Sequence, residues 1–102
     1  MSPQQKNVAA EQAPRRIAEM RARLERALEV ESLEVIDESH KHVGHAGARD
    51  GRGHFRLKIV ASEFKGLPLI RRHRVIYDAL GDLMQTDIHA LSIEASAPGE
   101  AS

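Results

Sequence analysis

Histidine is the residue here whose abundance and spacing could do chemistry, and sulfur is what the chain lacks. Six histidines stand among 102 residues, and there is no cysteine. His40, His42 and His45 follow one another at intervals of two and three residues, in a stretch that also holds Gly44, Gly47, Gly51 and Gly53. A neutral imidazole is the commonest protein metal ligand, and a glycine-rich segment lets several imidazoles converge on one ion. The same spacing also suits a solvated loop whose histidines meet only water. Without cysteine the chain can form neither a disulfide nor a thiolate site of its own. Thiolates anchor most iron–sulfur and structural zinc sites, so a soft metal centre here requires a partner that brings sulfur.

The other histidines read differently. His89 lies in the alternating phase of Leu91 and Ile93, where a satisfied core or edge histidine and a ligand are both admissible. His73 falls on a helical stripe between Leu69 and Ile76, which argues for a structural role with the ring bonded to backbone. His54 opens a strand on its polar phase and receives no assignment. Arg71, Arg72 and Arg74 surround His73. Such a cluster can hold phosphates, because the guanidinium fork matches them and a helix N-terminus adds N–H groups. An exposed, solvated face with Arg74 paired to Asp78 is the competing account.

Composition narrows the function further. Lys plus Arg and Asp plus Glu both number 15, so the net charge is zero. That balance disfavours sequence-blind attraction to nucleic acid or to membranes by the whole surface. Phe55, Phe64 and Tyr77 are the aromatic residues, too few for a base-stacking platform. No nucleophile motif or phosphate-cradling glycine loop is present, and Asp37 and Glu38 point to opposite faces of a strand. The reading is a non-enzyme. No run is apolar enough to span a bilayer, and the polar N-terminus leads into no signal-like core, so a cytoplasmic location is expected.

The elements that must position these residues come from periodicity. Residues 1–13 are polar and aperiodic and read as a disordered tail. Pro14 suits the first position of a helix whose stripe is Ile17, Met20, Leu24, Ala27 and Leu28. A short strand spans residues 33–38. Phe55, Leu57, Ile59 and Ala61 then alternate with His54, Arg56 and Lys58 as a clear strand. A turn over residues 64–68 precedes a second helix from near Leu69, with Leu69, Ile76, Leu80, Leu83 and Met84 as its stripe. A last strand covers about residues 87–95, and residues 97–102 read as a flexible tail. The sum is one α+β domain, residues 14–96, of order αββαβ: a three-stranded sheet with its helices on one face.

These residues also resemble a known family. Asp37-Glu38-Ser39, His42-Val43-Gly44-His45-Ala46-Gly47, His54-Phe55, Phe64-Lys65-Gly66, Arg72-His73-Arg74-Val75-Ile76-Tyr77 and Ile88-His89-Ala90-Leu91 together are similar to BolA-like proteins of the histidine-loop type, over about residues 15–96. The resemblance implies a topology like class II KH domains, with a short helical turn before the second helix. It implies a heterodimer with a monothiol glutaredoxin, formed from a chain that is monomeric when alone. A [2Fe-2S] cluster would then be shared with the glutaredoxin cysteine and glutathione. It implies His89 as one ligand and a histidine of the loop as the other: His42 by the count from Asp37-Glu38-Ser39, or His45 if the longer loop shifts the position. Some BolA-like proteins act as transcription factors, so DNA binding through Arg71, Arg72 and Arg74 is the alternative function. Gly66 is followed by Leu67-Pro68-Leu69 rather than completing the Gly-x-x-Gly of a nucleic-acid-binding KH loop.

Overall fold

The structure is a computed structural model, and it describes residues 8–39 and 52–100, with side chains from residue 12 onward. The order is α1 (Val8–Ala27), β1 (Val30–Asp37), β2 (Gly53–Ala61), a 3-10 turn (Ser62–Phe64), α2 (Leu69–Leu80), α3 (Leu83–Thr86) and β3 (Ile88–Ser96). The strands lie in the order β1-β2-β3, with β1 antiparallel and β3 parallel to the central β2. Parallel pairing of β2 with β3 requires a crossover, which α2 and α3 supply. The short turn before α2 is the one the resemblance implied.

The alternation of β2 decides which face is buried. Phe55, Leu57, Ile59 and Ala61 are almost fully enclosed. Val35 and Leu33 stand beside Leu57 and Ile59 on one side, and Leu91, Ile93 and Ala95 stand beside Phe55, Leu57 and Ile59 on the other. Met20, Leu24 and Leu28 of α1, Ile76 and Leu80 of α2 and Leu83 of α3 close the same core. The opposite face carries the row Glu34–Lys58–Glu94 across the three strands. Beside it Arg56 bonds Glu38 at 2.9 Å and Glu94 at 3.3 Å.

Several expectations need correction. Helix α1 begins at Val8, so residues 8–13 are helical rather than part of a tail. Pro14 lies inside the helix, where it forgoes the bond to the Ala10 carbonyl, and Ala13 just before it is buried in the core. Ala27 is exposed, not part of the buried stripe.

The second helix is two. Gly81 takes φ +58, a conformation that L side chains rarely adopt, and its N–H bonds the Tyr77 carbonyl at 2.9 Å, which ends α2. Leu83 and Met84 therefore belong to α3. Leu69, Ile70 and Arg71 are all exposed, so Leu69 is not part of the buried stripe, and Arg72 takes the inward position of the first turn of α2.

Finally, residues 97–100 are fastened to the domain. Ala97 is buried, and its N–H donates to the Glu100 carboxylate at 3.0 Å. The Arg72 guanidinium donates to both Glu100 oxygens, at 2.7 and 3.0 Å. Arg72 and the Ala97 N–H pull the Glu100 carboxyl down from 4.5 to about 2. A carboxyl held lower in the fold than in the unfolded chain adds stability above its unfolded value, and that stability disappears as pH falls through the folded one. The melting-temperature advantage of the wild type over Glu100→Gln is therefore expected to be complete above about pH 4.5 and to vanish towards about pH 2. Thermal scans across that range check it; an advantage independent of pH would contradict the assignment.

Candidate ligand site at one end of the sheet

The hydrogen bonds at the ends of β1 and β2 place the site. Asp37 turns the chain by accepting the Ser39 N–H at 2.8 Å, an Asx-type turn. The Glu38 N–H reaches the His54 carbonyl at 2.7 Å, and the buried Ser39 hydroxyl accepts the His54 N–H at 3.1 Å. Asp37-Glu38-Ser39 thus works as a clasp between the strands. Gly53 has no room for a side chain: a Cβ there would lie 2.5 Å from Phe55 Cε2. Its N–H donates to the Asp87 carbonyl at 2.8 Å, which ties the start of β2 to the start of β3.

Asp87 anchors that corner. Its carboxylate accepts from Arg15 at 2.8 Å, Arg16 at 3.1 Å and the Thr86 hydroxyl. Burial pushes the carboxyl up, but these donors outweigh it and hold it below the ordinary carboxylate value. The residue two positions before His89 is therefore fixed to α1, α3 and β2 at once.

His89 sits where the β2–β3 register slips. Gly53 stands opposite Ile88 and His54 opposite Ala90, so His89 is the extra residue of a bulge. It is exposed, although Leu91 and Ile93 in the same phase are partly buried. Its ring packs on that of His54, with centroids 5.1 Å apart and planes tilted by 47°. Arg52 places Nη2 3.0 Å from its Nδ1.

A model of the BolA-like protein family matches residues 24–100. The chain belongs to the BolA-like protein family. It is 46% identical over 86 residues to SufE-like protein 1, chloroplastic/mitochondrial, of Arabidopsis thaliana, covering 79% of this chain and 23% of that protein. It is 41% identical over 88 residues to Protein BOLA1, chloroplastic, of the same plant, covering 83% of this chain and 55% of the relative. The BolA-like chain thus spans a quarter to about half of the length of these relatives. The solved BolA domain of SufE1 from Arabidopsis thaliana superposes with a TM-score of 0.73 at 44% identity, over 82% of this chain and 93% of the domain.

Within this BolA-like domain the expected site residues separate. His40, His42 and His45 lie outside the described residues. The described chain leaves at Ser39 and returns at Arg52, both at the end of the sheet that carries His89. In sequence, His42 is three residues beyond Ser39 and His45 seven before Arg52. Among the described residues no group of three potential ligands could hold a metal ion.

His54 is the residue that sequence reasoning left aside. Its phase marked it as outward-facing, yet it is buried against His89. A histidine near the start of each of two strands was the available signal. His73 is half-buried rather than enclosed.

The arginine cluster is not a unit. Arg71 and Arg74 are exposed, but Arg72 points inward, donating to the carbonyls of Leu67 at 2.7 Å and Ala95 at 3.1 Å as well as to Glu100. Its guanidinium is occupied and is withdrawn from the expected phosphate-binding set.

Proposed function

We propose that this BolA-like domain co-ligates a [2Fe-2S] cluster with a monothiol glutaredoxin and glutathione, contributing His89 and one loop histidine, His42 or His45. The observation that carries the reading is the exposed imidazole of His89, held at the end of the sheet from which the histidine-bearing segment departs, in a chain with no cysteine. The donor set fits such a shared group. One exposed imidazole is far too little to hold a metal alone, and nitrogen from this chain complements sulfur from a partner. Mixed histidine and thiolate ligation is sound chemistry for a [2Fe-2S] centre. When bound, the cluster supplies one-electron redox capacity or transferable iron and sulfide.

The domain's own part is to present nitrogen and to dock. The three donors on Asp87 fix the start of β3, and the bulge brings His89 to the surface. Leu69 and Ile70 are 63% and 72% exposed, and Tyr77 follows on the same helix. Exposed apolar side chains of this size suit a protein partner better than a phosphate backbone.

Mixing the isolated domain with a cluster-loaded monothiol glutaredoxin and glutathione tests the proposal. A 1:1 complex with one cluster, whose visible spectrum differs from that of the glutaredoxin homodimer, is expected. A spectrum identical to the homodimer's, or no complex, would contradict it.

A further inference from the structure

The contact between Arg52 and His89 has a chemical consequence. A guanidinium carries N–H donors and no acceptor, so the ring nitrogen 3.0 Å from Arg52 Nη2 must offer a lone pair. That nitrogen is Nδ1. A neutral imidazole has one lone-pair nitrogen and one N–H, which puts the proton of His89 on Nε2. The lone pair a metal would use is then already engaged by Arg52. Ligation through Nε2 instead requires the proton to move to Nδ1, where it would face an Arg52 N–H. Through either nitrogen, the contact has to open before His89 can act as a neutral ligand. His54 packs against the same ring, its own side chain buried, so His89 is held on a second side as well.

We propose that Arg52 is a positioning residue that caps His89, fixing its Nε2–H tautomer and keeping its donor lone pair out of reach until the cap is released. This deepens the shared-cluster reading and rests on it for biological meaning, but the cap is a property of the domain alone. The capped ring discourages capture of stray cations, and a docked partner that attracts the guanidinium would free it. Tetrahedral, nitrogen-seeking Zn²⁺ is the probe, followed at His89 itself rather than by total binding.

Ring ¹⁵N NMR of the isolated domain reads both halves of the proposal. In the wild type His89 is expected as the Nε2–H tautomer. In Arg52→Met, which keeps the chain length without a donor, the bias is expected to relax, and the Zn²⁺ concentration that half-shifts the His89 resonances to fall about tenfold, the scale of one charge-assisted hydrogen bond. Arg52→Lys, which retains a charge and a donor, is expected to restore the bias in part. The Zn²⁺ half-point also reports repulsion between two cations, whereas the tautomer reports which ring nitrogen faces Arg52. An Nδ1–H tautomer in the wild type, an unchanged tautomer in Arg52→Met, or an unchanged or higher Zn²⁺ half-point would overturn the proposal. None of these readouts involves a glutaredoxin or a cluster, so the cap and the shared-cluster reading can fail separately.

Discussion

Replacing Arg72 with leucine is expected to lower the melting temperature by roughly 10 °C or more, while alanine at Arg71 or Arg74 shifts it by no more than about 2 °C. The three residues are near neighbours in sequence and chemically identical, so the contrast isolates environment. Arg72 is buried and donates to the Leu67 carbonyl before α2, the Ala95 carbonyl of β3 and both oxygens of Glu100. Leucine fills much of the volume but removes the donor to the Leu67 and Ala95 carbonyls and the ion pair with Glu100, which keeps only the Ala97 N–H. An orphaned buried carbonyl is costly. Arg71 and Arg74 lie on the exposed side of α2 and lose only solvated contacts. Thermal melts of the three variants check this. Equal effects would show that Arg72 is not the tie between α2, β3 and the C-terminal turn. DNA binding that survives in Arg72→Leu but not in the other two would confine any phosphate contact to the outward pair.

The sequence reading succeeded where one periodicity ran without competition. Phe55, Leu57, Ile59 and Ala61 alternate without interruption, and the structure buries all four. Met20, Leu24 and Leu28 likewise face the core from α1. It failed where a local rule met a tertiary demand. Pro14 favours a helix start, but the chain continues as helix on its N-terminal side and Ala13 packs into the core. Leu83 continues the stripe of α2 on paper, yet Gly81 breaks the helix between them. Arg72 was grouped with its neighbours because charge predicts exposure, whereas its partners lie in β3 and at Glu100, 23 and 28 residues away.

The site was legible in part for the same reason. Family resemblance singled out His89, and simple alternation would have faced it with Leu91 and Ile93. The bulge opposite Gly53 and His54 turns it outward, and strand alternation cannot reveal a bulge. The partnership of His89 with His54 and Arg52 depends on the parallel register of β2 and β3, which no local pattern encodes. The clasp made by Asp37, Glu38 and Ser39 was visible only as part of a motif, and its hydrogen bonds supply the physical reason for those residue types.

The most direct test of the central claim is His89→Ala in the complex with a monothiol glutaredoxin and glutathione. His89 is exposed, so the isolated variant is expected to stay folded, with a stability loss of no more than about 1 kcal/mol. Association is also expected to persist, because docking rests on surface contacts rather than on one imidazole. The cluster, by contrast, loses a ligand. Parallel His42→Ala and His45→Ala variants identify the second donor, since only the ligating one should behave like His89→Ala. Ligating imidazoles must be deprotonated, so the mixed spectrum should also fade on acidification. The decisive reading is the visible absorption and circular dichroism spectrum of the His89→Ala complex at neutral pH. The account predicts that the mixed-ligand spectrum is lost, leaving that of the glutaredoxin homodimer or no cluster at all, while the two proteins still bind. A spectrum and cluster retention unchanged from wild type would contradict it.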